Sequence, residues 1–413
     1  MTDTLPRAAA PWRLAAAGLS LIAVCYGLAR FAFGLFTPAF RAAFGLDAAA
    51  IGLIAALGYA AYCVGVGAAT FGTPRWGARS VAVAAGLLAT AGTIIVGSSA
   101  DAVTLGIGAA IGGASTGVAS PALADAVAKG VTPARRDRVQ SVINAGTGLG
   151  VLVAGPIALL LLDQWRVAWF VFAGLAAATT LWAAVAVPAG RTTPTGIRAA
   201  PPEARAESAA ARTSPDTSRG IPGARTRALR LPLASLLLGA GSGAVWTFGQ
   251  DALAASLGRP LATVGWIVLG ACGLLGAAAG DVIRRLGVNT AWRVFLALMA
   301  ISTTIIAVLS HLPALAIPAA GVFGAVYIAA TGVLLIAGTR IRPDDPARGV
   351  GSAFLLLAVG QAASSPGWGA LGDVAGLPVT LLGATATTIV ALLIAPLSAG
   401  AAHASTPRKG DDK

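Results

Sequence analysis

Charge is what this sequence has least of. Only 11% of its 413 residues are Asp, Glu, Lys or Arg, against about 25% in soluble globular domains. With a mean hydropathy of +0.80, that scarcity excludes a water-soluble fold. Glu occurs only at Glu203 and Glu207, and His only at His311 and His403, so buried acid–base groups have few candidates. No HExxH motif or paired-carboxylate arrangement is present, and no Gly-rich stretch precedes the Lys-Ser/Thr of a phosphate-binding loop. The chain is therefore not expected to be an enzyme or to carry a cofactor. Cys25, Cys63 and Cys272 all lie in apolar stretches without CxxC pairing, which argues against a disulfide framework and a metal site. Met1–Leu14 is too short and polar for a cleaved signal peptide.

What is present is a series of twelve apolar runs, approximately 14–38, 48–71, 80–98, 103–124, 139–162, 167–188, 231–253, 261–280, 291–310, 313–337, 349–371 and 377–399. Each is about the 20 residues that span a bilayer. In hydrocarbon every backbone polar group must bond internally, so the spans are predicted to be helices. Of the 29 Lys and Arg, 25 fall in every second gap; Arg41, Arg166 and Arg259 occupy the alternate gaps and Arg30 lies inside a span. Basic loops stay cytoplasmic, which puts both termini on that side. The net charge of +13 is thus spread over loops that meet anionic lipid headgroups, and nucleic acid is not an expected partner.

Residues 189–230 carry eight Arg and five Pro and read as a disordered cytoplasmic linker. They divide the chain into an N-terminal unit, 1–188, and a C-terminal unit, 231–413, each with six spans. The two units repeat weakly at an offset of 210. Arg75 and Gly77 match Arg285 and Gly287, Pro133 and Arg138 match Pro343 and Arg348, and Pro156 matches Pro366. Such parallel repeats are used by many secondary transporters.

Six plus six spans, a long basic central loop and Arg-x-Gly after the second span resemble the major facilitator superfamily. Tyr26-Gly27-Leu28-Ala29-Arg30-Phe31-Ala32-Phe33, followed by Pro38, is similar to the first helix of a poorly characterised bacterial permease branch. The resemblance implies twelve transmembrane helices in two pseudo-symmetric six-helix bundles and alternating access. It also implies a bacterial cytoplasmic (inner) membrane location. Spans 3, 6, 9 and 12 would be peripheral, and helices 1 and 7 would face each other. The loop after span 2 departs from the family pattern, with Pro74 at its Asp position and Thr70 at its first Gly. The helix-4 Arg of many members is missing, since none occurs between Arg79 and Arg135.

Arg30 is the cation that topology does not explain. An Arg near a helix centre costs about 2.5–3.5 kcal/mol on insertion scales, and Arg30 lies roughly 12 Å below the end expected at Pro38, at 1.5 Å per residue. A guanidinium facing a cavity there can bind a carboxylate or phosphate through its planar fork; the alternative is a structural pair to a carboxylate or to helix-end carbonyls. Tyr26, Arg30, Phe33 and Thr37 share one face at helical spacing. Asp251, near the outer end of span 7, is the expected carboxylate partner, as an outer-gate or coupling pair, or else a plain interfacial residue. Trp246, Gln250, Asn144, Tyr327 and Gln361 are candidates for shaping the pocket, with Gln140, Tyr59 and Tyr62 as further polar groups of the inner spans; packing glue is the competing role for each. Asp125 is a coupling candidate whose alternative is a surface pair with Lys129 at i+4. Arg75 and Arg285 are gating candidates in the repeated loop.

The leading expectation is a monomeric secondary transporter that moves a small organic solute, with Arg30 contacting an anionic group. Its partners are that solute, the lipid bilayer and, as one candidate coupling ion, the proton. A proton-coupled multidrug or metabolite efflux antiporter using Asp251 is one alternative. A membrane sensor or assembly partner that transports nothing is the other.

Overall fold

The computed structural model describes residues 11–188, 224–276, 280–342 and 346–397, and every regular element among them is helical. In chain order these are α1 (Pro11–Phe44), α2 (Ala48–Trp76), α3 (Ala78–Ser98), α4 (Ala102–Gly130), α5 (Pro133–Leu160), α6 (Trp165–Ala186), α7 (Ala224–Leu257), α8 (Arg259–Gly276), the short α9 (Gly280–Leu286), α10 (Val288–Val308), α11 (Pro313–Ile341), α12 (Pro346–Ala375) and α13 (Leu377–Leu393). Ten are long and apolar enough to cross a membrane. Of the expected eleventh and twelfth spans, α12 is not among those ten and α13 has 17 residues. The polarity of α12 has a structural reason: Gln361 and Ser365 are fully buried against other helices and not presented to lipid.

Most of the expected linker lies outside the described residues, but 224–230 belong to α7. The first helix also differs from expectation. Pro38 sits inside it, and the helix continues to Phe44, which a membrane helix tolerates when neighbours satisfy the freed backbone groups. Its middle, Ala23–Phe31, is wound as a π-helix. Such wide turns are rare and occur frequently at functional sites.

Helices of the first set pack mainly as α2 on α4, α3 on α4 and α6, and α1 on α5; those of the second as α8 on α11, α10 on α11 and α13, and α7 on α12 and α13. The principal contacts between the sets run through α2 with α12, α5 with α8 and α1 with α7. With no hydrophobic force to join helices in lipid, close packing of small residues must do so. A Cβ on Gly113 would lie 2.1 Å from the Gly58 carbonyl oxygen, and one on Gly27 2.3 Å from the Gly150 backbone. The repeat is visible in the backbone as well. Gly77 and Gly287 precede α3 and α10 with φ, ψ of 82°, 155° and 78°, 156°, a conformation open to glycine alone.

Candidate functional site: a tyrosine-ringed arginine between the helix sets

Because α1 runs on to Phe44, Arg30 lies near its middle, about 21 Å from that end at 1.5 Å per residue. Its Nη2 donates to Gln361 Oε1 of α12 at 2.7 Å. Four rings surround the guanidinium carbon, at 4.7 Å (Tyr62), 5.0 Å (Tyr59), 5.1 Å (Phe31) and 5.8 Å (Tyr26). Ring faces attract a cation and are worth more when desolvated, about 2 kcal/mol in favourable cases. They pack around a side chain that is itself partly buried, and among the described residues no carboxylate forms an ion pair with it. Tyr26 and Phe31 come together, 6.4 Å apart, because the π-turn spaces neighbours by five residues. A spacing of 3.6 residues per turn puts Phe33 beside Arg30; Phe33 does line the cavity, but its own ring contact is with Phe40.

The cluster continues across the interface. Phe31 stacks on Trp246 of α7, with centroids 4.0 Å apart and planes at 26°, and Trp246 meets Tyr327 of α11 edge-on at 5.2 Å. All four tyrosines of the chain therefore gather here, Tyr26 also hydrogen-bonding Ser120 at 2.8 Å. Arg30, Phe31, Tyr59, Trp246 and Thr247 are among the walls of a cavity of about 20 Å³, room for about one water molecule. Arg30 Nε, Gln361 Nε2 and Trp246 Nε1 are buried without a hydrogen-bond partner.

Arg30 and Asp251 do not pair. Asp251 Oδ2 accepts from Arg41 Nη1 at 2.5 Å, because the extension of α1 beyond Pro38 carries Arg41, and not Arg30, to the end of α7. Asp125 takes its surface alternative and pairs with Lys129 at 2.8 Å. Asn144 is exposed and accepts from Gln140 on its own helix at 3.1 Å, so it is not brought to Arg30. Gln250 is buried but turns toward α8, where Nε2 donates to Thr263 at 3.4 Å. Arg75 and Arg285 are exposed at the ends of α2 and α9. Thus Arg30, Tyr26, Trp246, Tyr327 and Gln361 converge, while Asn144, Gln250, Asp251, Asp125, Arg75 and Arg285 lie elsewhere. Phe31 has a legible signal, its adjacency to Arg30, but only the π-turn gives it that place.

Polar clasps join the two sets at the end where α1 and α7 finish. Beside Arg41–Asp251 stands Arg259–Asp163 at 3.0 Å. Asp373 of α12 accepts from the Ala48 and Ala49 amides at 2.7 and 2.8 Å, capping α2 from the opposite set. Carboxylates are favoured at helix N-termini, where backbone N–H groups are free. Nothing local in the sequence ties Asp373 to α2, so sequence reasoning misses it. Thr37 Oγ1 donates to the Thr247 carbonyl at 3.1 Å. Both it and the Arg41–Asp251 pair join residues separated by the 210-residue repeat.

A sequence profile of the Major Facilitator Superfamily matches residues 19–353. No curated protein matches by sequence. Among solved structures, a D-xylose–proton symporter superposes with a TM-score of 0.74 at 13% identity, covering 92% of this chain and 95% of that one. The xylose transporter XylE from E. coli, in a partially occluded inward-open conformation, gives 0.72 at 12%, covering 93% and 96%. The nucleoside transporter NupG gives 0.68 at 12%, covering 93% and 97%. With a profile match over most of its length and that fold, the chain belongs to the Major Facilitator Superfamily.

Proposed function

We propose that the protein is a secondary active transporter that carries a small organic anion across the cytoplasmic membrane by alternating access, with Arg30 as the anion's anchor. The observation that carries this reading is a guanidinium in mid-membrane, bonded to one neutral amide and ringed by aromatics. A structural arginine would be expected to have a carboxylate or a backbone carbonyl, as Arg41, Arg259, Arg79 and Arg166 do, and among the described residues Arg30 has neither. Twelve spans in two six-helix units, 1–188 and 231–413, joined by the linker and with cytoplasmic termini, complete the reading. The pairing of residues 210 apart supports it, since repeat-equivalent positions touch only where they meet near a pseudo-two-fold axis. The clasps at the end of α1 and α7 support a resting state closed on the outer side, with the halves rocking about the Arg30 layer.

Arg30→Leu decides between function and structure. It removes a charge whose insertion costs about 2.5–3.5 kcal/mol and, against that, ring contacts and a Gln361 hydrogen bond of about the same total, so the variant should still fold and melt near the parent while transport in proteoliposomes disappears. Full transport, or a collapsed fold, would return Arg30 to a structural role. Coupling to protons has Asp251 as its embedded candidate; an Asp251→Asn variant that keeps its pH-gradient dependence would exclude that residue. A chain that moves no solute in liposomes yet retains a partner through the linker would instead be a sensor.

A further inference from the structure

The unsatisfied polar atoms around Arg30 are all donors: Arg30 Nε, Gln361 Nε2 and Trp246 Nε1. Gln361 and Trp246 are 0% and 3% exposed, so bulk water does not reach them, and the adjoining cavity has room for about one molecule, too few for three donors. The Gln361 oxygen is engaged by Arg30 and its amide also faces the Tyr327 hydroxyl, which leaves one of its two N–H groups for a ligand. A neutral polyol of the kind carried by the xylose relatives would bring donors as well as acceptors and leave the guanidinium charge unmatched in a partly buried, aromatic-walled site. A dianion, such as a phosphate ester or dicarboxylate, would overcompensate, because Arg30 is the only described Lys or Arg in the middle of a long helix. A carboxylate monoanion fits: one charge, acceptors only, and a plane that matches the guanidinium fork.

The walls describe the rest of the ligand. Ala29, Gly34, Ala55 and Gly58 present little bulk, and Phe31, Tyr59 and Trp246 present flat faces. Phe31 and Trp246 belong to opposite helix sets and are stacked on each other in the wall of this cavity, so parting the sets opens a slot between two rings. Aromatic pairs stabilise by about 0.5–1.5 kcal/mol beyond area burial, and a flat ring in that slot restores what their parting removes. We propose that the cargo is an aromatic monocarboxylate. Its carboxylate bridges Arg30 of α1 and Gln361 Nε2 of α12, and its ring is held between Phe31 and Trp246. This rests on the transporter reading above and specifies its cargo. A ligand that touches α1, α7 and α12 together also draws the two sets onto itself, which is what an alternating-access carrier requires of its substrate.

The test uses purified full-length protein in nanodiscs, with unfolding temperature as readout, because a ligand that binds the folded state raises it. Benzoate, 4-hydroxybenzoate and indole-3-acetate are compared with acetate, cyclohexanecarboxylate, phthalate, benzyl alcohol and xylose. The aromatic monocarboxylates should raise the unfolding temperature. Cyclohexanecarboxylate should bind about tenfold more weakly for loss of stacking, and phthalate, benzyl alcohol and xylose should have no effect. Because this panel is run on the parent protein, its outcome does not depend on any variant folding. Arg30→Gln and Gln361→Leu should then remove the benzoate response. Acetate equalling benzoate would overturn the aromatic cargo while leaving the anion carrier intact. A response to xylose with none to any carboxylate would overturn both.

Discussion

The Arg41–Asp251 clasp supplies a quantitative test of the proposed outward-closed state. The Asp251 side chain is 13% exposed and that of Arg41 33%. Hydrogen bonds to charged groups contribute about 1.5–3 kcal/mol, and exposed ion pairs about 0–1. With one partner largely buried and the other a third exposed, about 1–2 kcal/mol is a fair value, or a five- to thirtyfold bias toward closure. Arg41 retains a contact with the Leu46 carbonyl at 3.2 Å, so Asp251→Ala should not unfold α1. The assay places a cysteine at Ile54, which lines the cavity and is 5% exposed, in a background with Cys63 and Cys272 replaced by Ser. An impermeant thiol reagent is then applied to intact cells. Asp251→Ala should speed labelling about five- to thirtyfold, and Arg41→Ala should do the same. The double variant should exceed neither single by more than about twofold, because both remove one interaction. Asp163→Ala is the control. That carboxylate is 91% exposed, and its loss should shift the balance by about twofold at most, within the range of a surface pair. Equal effects of Asp163→Ala and Asp251→Ala, or fully additive effects at Arg41 and Asp251, would mean that this clasp does not hold the outer side shut.

Other consequences can be checked more simply. Gly27→Val forces side-chain atoms onto the Gly150 backbone and should abolish accumulation of folded protein, whereas Gly67→Ala, with open space around its Cβ position, should be neutral, as judged by monodisperse yield. Tyr26→Phe leaves Ser120 without its partner and should cost about 0.5–1.5 kcal/mol of stability, measured by thermal unfolding, with the cation–π contact retained. Asp101 caps α4, and the hydrogen bonds from the Thr104 amide and hydroxyl hold its carboxyl below the usual value. A depressed folded value means that the cap is fully effective above the ordinary carboxylate range and is lost as pH falls through it. Exchange of the first α4 amides should accordingly rise in acid, and Asp101→Asn should remove that dependence.

Much of this is readable from the sequence, for identifiable reasons. Apolar runs and basic gaps mark helices whatever their tertiary contacts, because the bilayer alone imposes the pattern. Arg30 stands out for the same reason: a charge in an apolar run is costly wherever it packs. Gln361, Trp246 and Tyr327 are candidates as polar or aromatic groups on inner helices, and they do converge. What is not readable depends on local geometry. Pro38 reads as a helix end in water but is carried inside α1, and that single difference gives Asp251 to Arg41 in place of Arg30. The π-turn that brings Phe31 to Tyr26 has no compositional signature. Asn144 and Gln250 lie on inner helices but point along their own helix or toward α8, which periodicity alone does not distinguish. Asp373 caps a helix of the other set, a contact that exists only once the two sets meet.

The gathering of every tyrosine around Arg30 has a practical consequence. Biosynthetic replacement with 3-fluorotyrosine gives a fluorine spectrum with four side-chain signals, each arising from the ring cluster and none from the bilayer-facing surface. Tyr26, Tyr59 and Tyr62 sit on the first helix set and Tyr327 on the second. Separation of the sets would therefore move one resonance against three, and the native chain would report its own working cycle without a cysteine, a dye or a mutation.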